Sequence, residues 1–306
     1  MKYGTAEGKA KHFLIIGPWD HAGTRTPQAN VGGLKFGDAS LLDMNKLHTE
    51  WYDWTMKNGK KPEFLKDQIA YYVTGADQWK YGKSFETLAN DKKTLYLSSS
   101  GIANDVFHSG SMSDKKTGAS ATDQYVYDPL DTRPAELEKD EIENNLTDQR
   151  FALNLFGNGL VYHSEPFDEA TELTGLMKFV AFISMDVPDT DFQVSVYEIL
   201  TDGSSIFLSG DILRARYRDS LREAKLVKAG EINQYKFEGF TFISRRIAKG
   251  SKLRLVVNCP NSINIEKNYN SGGDVLLESA KDARTAHIKL YHDAEHASYL
   301  EIPIVK

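Results

Sequence analysis

The sequence predicts a mainly β protein: a short α/β segment at the front, then a large two-sheet antiparallel sandwich of jelly-roll type. Three observations carry this. Between residues 69 and 305 lie eleven runs of β-branched and aromatic residues, separated by turn residues and with almost no helical period between them. Antiparallel runs in that number pack as two facing sheets. Met44 to Trp54 has a helical period, and Phe13 to Ile16 is a short apolar run without alternation, the pattern of a strand covered on both faces.

That first strand lies in Lys11 to Pro27, K-H-F-L-I-I-G-P-W-D-H-A-G-T-R-T-P, which ends in Gly-Pro and delivers His21 into a loop. A parallel strand needs neighbours, each reached by a crossover of a dozen or more residues. Nothing ahead of Phe13 could supply one, so companions are expected from polypeptide outside this sequence. Gly23, Pro27, Gly32 and Gly33 mark the following loop as irregular. Met44, Leu47, Trp51 and Trp54 then recur at intervals of three, four and three, one face of a helix that covers the first strand. Ser40 with Asp43 is its expected capping pair, and Asn58-Gly59 with Pro62 stop it.

The strand signal starts near Gln68. The runs are Ile69 to Thr74, Thr94 to Ser98, Gln124 to Tyr127, Leu160 to His163, Gly175 to Met185, Phe192 to Leu200, Ser205 to Ser209, Tyr235 to Phe242, Leu253 to Asn258, Ala286 to Tyr291 and Tyr299 to Val305. Asn104 to Asp123 and Thr132 to Gln149 are polar and read as exposed loops with room for one short helix.

Composition narrows the function classes. A chain of 306 residues with 41% hydrophobic and 11% aromatic residues is globular and buries a substantial core. Its net charge of −6 argues against a partner recognised through phosphates, so nucleic acid is not expected. No window approaches the roughly 18 apolar residues of a membrane span. The one cysteine, Cys259, cannot form an internal disulfide and favours a reducing compartment. The chain is therefore expected to be cytoplasmic, with a secretory signal on absent N-terminal sequence as the alternative.

The run I-I-G-P-W-D-H, Ile15 to His21, resembles the C-terminal half of the serine hydrolase family of Xaa-Pro dipeptidyl-peptidases, cocaine esterase and α-amino-acid ester hydrolases. The resemblance continues through V-T-G-A-D-Q-W (Val73 to Trp79), S-E-P-F-D-E-A-T-E-L-T-G (Ser164 to Gly175), D-T-D-F (Asp189 to Phe192) and G-D-I-L-R-A-R-Y-R-D-S (Gly210 to Ser220). It implies that residues 1–62 are the end of an α/β-hydrolase domain, with its last strand, histidine loop and last helix. Residues 63–306 would be the jelly-roll sandwich. His21 would be the base of a Ser-Asp-His triad whose Ser and Asp precede it, together with the oxyanion hole and a helical cap. Before His21 stand no serine and only the acids Glu7 and Asp20.

A histidine at a strand end suits a general base, with a hydrogen-bonded loop histidine as the plain alternative. A nucleophile elbow would read G-x-S-x-G between a strand and a helix, and the chain holds no such string. Gly203-Ser204-Ser205 falls in an expected hairpin turn, and Asp20, next to His21, points away from it on an extended backbone. Trp19 and Trp79 are candidates for the wall of an apolar substrate pocket, or else the filling of an interface.

His287, His292 and His296 invite a metal reading, but turn or surface roles are expected. Asp186, Asp189 and Asp191 lack the rhythm of a calcium loop, and Arg214, Arg216 and Arg218 read as a solvated or ion-paired face. No metal and no cofactor is expected.

The expected function is acyl-enzyme hydrolysis of an ester or amide, Xaa-Pro dipeptide release among the options, with this chain holding only the catalytic histidine and the sandwich. Alone it should be inactive. Its expected partners are a small-molecule or peptide acyl substrate, a separate chain bearing the Ser and Asp, and further copies of itself. The alternative is a non-catalytic β-sandwich that serves as a binding or assembly module.

Overall fold

The computed structural model describes residues 4–116, 122–138 and 144–306. A one-turn helix α1 (Ala6–Ala10) leads into β1 (Leu14–Ile16), and a small hairpin, β2 (Asn30–Val31) with β3 (Leu34–Lys35), precedes helix α2 (Met44–Lys57). Strand β4 (Ile69–Val73) returns beside β1 in parallel, with Leu14 opposite Ile69 and Ile16 opposite Tyr71, and β5 (Gln78–Gly82) adds to β4 antiparallel.

This corrects two expectations. Ile69–Val73, read as the first strand of the sandwich, belongs to the sheet of β1, and that sheet crosses the 62/63 line. β1 also has one companion from later in the chain, because residues 17–68 include α2 and are long enough for a parallel crossover. The other edge of β1 carries no strand among the described residues.

Helix α2 covers β1 through aromatic contacts: the Phe13 ring stands edge-on to Trp51 and Trp54 at 5.9 and 5.8 Å. Its N-cap is Asp43 alone, which accepts the Lys46 N–H at 2.9 Å. Ser40, the expected partner in that cap, is buried in a tight 3₁₀ turn at Asp38–Ser40. Asn58 ends the helix in the left-handed region at φ 55°.

The remaining strands are β6 (Asp91–Ser98), β7 (Gly110–Ser113), β8 (Thr122–Tyr127), β9 (Gly159–Ser164), β10 (Thr171–Gly175), β11 (Lys178–Met185), β12 (Asp191–Ile199), β13 (Ser205–Arg214), β14 (Asn233–Phe237), β15 (Ile243–Ile247), β16 (Lys252–Asn258), β17 (Ala286–Tyr291) and β18 (Tyr299–Ile304). Between β8 and β9 lie two single-turn helices, α3 (Arg133–Glu136) and α4 (Gln149–Ala152). Most of these strands form one ladder in the order β13-β12-β16-β9-β7-β6-β18-β11-β17-β8, with β14 also on β11. The ladder doubles over to make a β-sandwich. Phe192 and Val194 of β12 share one core with Phe179 of β11, Tyr235 of β14 and Leu300 of β18, and Phe192 meets Tyr235 edge-on at 5.0 Å. All its pairings are antiparallel except β7 with β9, which joins the two halves.

β7 falls inside Asn104 to Asp123, which reads as loop, and so does the start of β8. G-S-M-S carries no branched residue, but Met112 is buried and a Cβ on Gly110 would meet the Tyr162 ring at 2.3 Å. Residues 117–121 of that stretch, and 139–143 of the second expected loop, lie outside the described residues.

Strands β10 and β15 pair with each other and tie the front segment to the sandwich. Thr74, just past β4, donates from its N–H to Ser244 O at 3.1 Å, and its carbonyl accepts the Arg246 N–H at 2.8 Å. Lys80 pairs with Glu172 at 2.7 Å, and Phe242 packs on Tyr71 and Phe85. A Cβ on Gly75, at φ +77°, would lie 2.8 Å from Arg246 O. Beneath this seam Glu198, fully buried at the end of β12, pairs with Arg245 and accepts the Ala248 N–H at 3.0 Å.

On the other face of the sheet, Arg254 donates from Nε to His163 Nε2 at 2.8 Å, which leaves Nδ1 to carry the proton toward Ser109 Oγ at 2.8 Å. Burial, and then the charges of Arg254 and Lys252, push the His163 pKa down from 6.5 to about 3. The unfolded chain therefore binds a proton at His163 that the folded chain refuses. Stability from this group is whole above about pH 6.5 and drains away as pH falls toward 3. Chemical denaturation across that range should show a slope that His163→Gln flattens; an unchanged slope would contradict the neutral buried imidazole.

No helix among the described residues is long and apolar enough to cross a membrane.

Candidate functional site

β1 aims the chain into Gly17-Pro18-Trp19-Asp20-His21, and His21 opens a 3₁₀ turn over Ala22–Thr24. The turn is held locally. Asp20 Oδ1 accepts the Gly23 N–H at 2.8 Å, and Thr24 Oγ1 donates to the His21 carbonyl at 2.8 Å. Gly17 and Gly23 are glycine because Trp19 fills the space a side chain would need: a Cβ at either would come within 2.4 Å of it.

The structure brings Trp19 and Trp79 together, with ring centroids 5.8 Å apart. Both indole N–H groups donate to the same short turn, Trp19 to Ser40 O at 2.8 Å and Trp79 to Ala39 O at 2.7 Å. Trp79 also lies edge-on to Phe64 and Tyr72, at 5.0 and 5.3 Å. The two indoles thus fasten the 38–40 turn, β5 and the histidine loop into one aromatic block. Under it the Ser40 and Tyr72 hydroxyls are buried without a hydrogen-bond partner among the described residues.

His21 itself is exposed, and among the described residues nothing hydrogen-bonds its ring. Asp20 gives its carboxylate to the Gly23 backbone and so does not orient the imidazole. A rigid loop presenting an imidazole to solvent can take a proton from a nucleophile brought by another segment, but nothing here supplies that nucleophile or fixes the tautomer.

The other clusters raised by the sequence are engaged. Asp189 receives Arg216 at 2.7 Å and Asn268 at 2.9 Å, while Asp191 takes Arg214 with both oxygens, at 2.8 and 3.0 Å. Arg218 donates to Asn233 at 3.0 Å and to the carbonyls of Ala215 and Lys225. Asp186 serves the backbone and ring of His287, at 2.8 and 2.7 Å. The three late histidines face three different acids, Asp186, Asp123 and Asp293. Among the described residues no group of His, Cys, Asp and Glu has the arrangement of a metal site.

His292, expected at a turn or surface, is buried instead. Its Nε2 lies 3.1 Å from Asp123 Oδ2 and 3.2 Å from Ser99 Oγ, and Asp123 also accepts Tyr162 OH at 2.7 Å. Burial raises the Asp123 pKa, but hydrogen bonds from His292, Ser99 and Tyr162 outweigh it and hold the carboxyl below its usual range. Ser, His and Asp meet here without forming a triad, because Ser and Asp share the same imidazole nitrogen. No spacing in the sequence signals this set, since its members come from four separate segments.

Residues 55–301 match the profile of the X-Pro dipeptidyl-peptidase C-terminal non-catalytic domain. His21 lies ahead of the matched region. The chain is similar to the cocaine esterase of Rhodococcus sp. (strain MB1 Bresler), 27% identical over 299 residues, which cover 96% of this chain and 51% of that protein. Its fold is similar to that of an aminopeptidase from the marine sediment archaeon Thaumarchaeota archaeon, with TM-score 0.83, 21% identity, and coverage of 98% of this chain and 50% of that one. It is also similar to that of an α-amino acid ester hydrolase, with TM-score 0.80, 20% identity, and coverage of 97% and 51%. The chain spans about half the length of the relatives it matches.

Proposed function

This chain belongs to the family of the X-Pro dipeptidyl-peptidase C-terminal non-catalytic domain, and from that premise we propose that it is the C-terminal portion of a serine hydrolase, to which it brings His21 as general base. The reaction is hydrolysis of an ester or amide through an acyl-enzyme, release of an Xaa-Pro dipeptide included. The serine nucleophile and the acid come from polypeptide that completes the sheet beyond the free edge of β1. Residues 1–62 form the end of the catalytic domain, with β4 and β5 extending its sheet.

One observation supports this above the rest: His21 stands exposed at the end of a strand whose second edge carries no strand among the described residues, on a loop fastened by Trp19 and Trp79. Such an imidazole is positioned without a hydrogen-bond partner among the described residues. The half-length match to cocaine esterase is consistent with a missing complement.

A fluorophosphonate probe tests it. The purified chain should remain unlabelled, and labelling should appear on a serine of the complementary polypeptide when the two are expressed together. A labelled serine within this chain alone would sink the proposal.

A further inference from the structure

A cleft of about 820 Å³ lies on the outer face of the β8 and β17 ladder, away from the elements that carry His21 in the sheet order. Its floor is the outward row of that ladder, where Val126 stands opposite His287 and Gln124 opposite Lys289. The alternate residues Tyr125, Tyr127 and Ile288 are buried in the core, so the floor is fixed by the sandwich itself.

One wall is equally rigid. Asn261, 4% exposed, donates to the carbonyls of Asp128 and Asp131 at 2.9 and 2.7 Å. Asp131 then grips Arg133 with both carboxylate oxygens, at 2.8 and 2.6 Å, and the guanidinium lies over the Phe156 ring at 5.0 Å from its centroid. A site held in this way loses little freedom when a ligand enters.

The chemistry inside is polar, balanced and uncommitted. Arg133 is matched by Asp131, and His287 Nδ1 faces Asp186 at 2.7 Å. Lys289 and Asp128, which also line the cleft, are opposite in sign. The side-chain amides of Gln124 and Asn158 and the Lys289 ammonium have no hydrogen-bond partner among the described residues. With Asp128 and Asp131 set against Arg133 and Lys289, the lining carries no excess of positive charge, which disfavours a phosphorylated or otherwise anionic ligand. The apolar side chains that line the cleft outside the core, exposed Val126 and half-buried Phe156, are too few for a fatty or aromatic acyl group. What remains is a neutral molecule dense in hydroxyls, with a C–H face for Phe156 and Val126 and vicinal oxygens for the amides and the ammonium.

We propose that this cleft binds a neutral oligosaccharide, independently of the hydrolytic role assigned to His21. The volume is at the upper end of the range for small-molecule sites, enough for roughly two or three sugar rings.

Isothermal titration of the full chain with maltotriose, cellotriose, xylotriose and N,N′,N″-triacetylchitotriose tests it, with a capped neutral tetrapeptide as the competing class. At least one sugar should bind. Asn158→Ala and Gln124→Ala should each weaken it by about tenfold, the loss of one or two hydrogen bonds, while His21→Ala leaves it unchanged. Circular dichroism melting shows whether each variant is folded, and both amides are at the surface. Absence of binding by all four sugars overturns the proposal. So does sugar binding that survives the double amide variant in folded protein, or cleft occupancy by the peptide in place of the sugars.

Discussion

In the proposed hydrolase, assembled with its complement, His21→Ala should lower kcat by about four to six orders of magnitude while leaving KM within a few-fold. The size follows from what a base does in acyl transfer. Without it the serine attacks with its proton still on, and only the binding groups and oxyanion donors continue to help. The same substitution should leave the melting temperature nearly unchanged, because the ring is exposed and nothing among the described residues hydrogen-bonds it. A structural histidine would behave in the opposite way. Steady-state kinetics on an activated ester, run beside a thermal melt, separates the two, and a loss of only a few-fold in kcat would remove His21 from the mechanism.

The second large effect concerns stability. Removing the Arg245 side chain leaves the Glu198 carboxylate fully buried without its cation, a change that costs about 3–5 kcal/mol when a buried pair is broken from one side. For a sandwich of this size that is a large share of the total stability. Arg245→Ala should therefore shift the urea midpoint far more than Arg246→Ala, its neighbour, whose backbone rather than side chain makes the contact to Thr74. The double variant Glu198→Gln with Arg245→Ala should recover part of the loss, since a neutral amide costs less to bury than a charge. If single and double variants were equally unstable, the buried charge would not be the cause.

Much of the architecture was legible because it rests on local pattern. The apolar run before Gly17 and the 3-4-3 spacing of Met44, Leu47, Trp51 and Trp54 each describe one face or one core, and the structure places β1 and α2 there. Which sheet a strand joins is a different kind of fact. I-A-Y-Y-V is buried along its whole length beside β1, whereas β6 and β7 alternate between core and surface, but the composition of a five-residue run does not name the strand it pairs with. The overlooked strands β7, β10 and β15 are rich in Ser, Thr, Glu or Arg, and their place is set by partners such as Tyr162 and Glu198 far along the chain.

The candidate site divides in the same way. The contiguous string Ile15 to His21 singled out His21, and the structure places it exposed at the start of a 3₁₀ turn. That Trp19 and Trp79 share one turn was not legible in this way, since the pairing joins segments sixty residues apart, and the buried meeting of Ser99, Asp123, Tyr162 and His292 joins four.

β18 is the last strand in chain order, yet it sits between β6 and β11, inside the ladder rather than at its rim. During synthesis, then, β6 emerges from the ribosome with one side vacant, and that gap persists until more than two hundred further residues have been added. A premature stop before Tyr299 would strip out an interior plank rather than trim an end. Nascent chains thus offer that gap to chaperones and proteases until β18 has been made, and productive closure of the ladder waits on it.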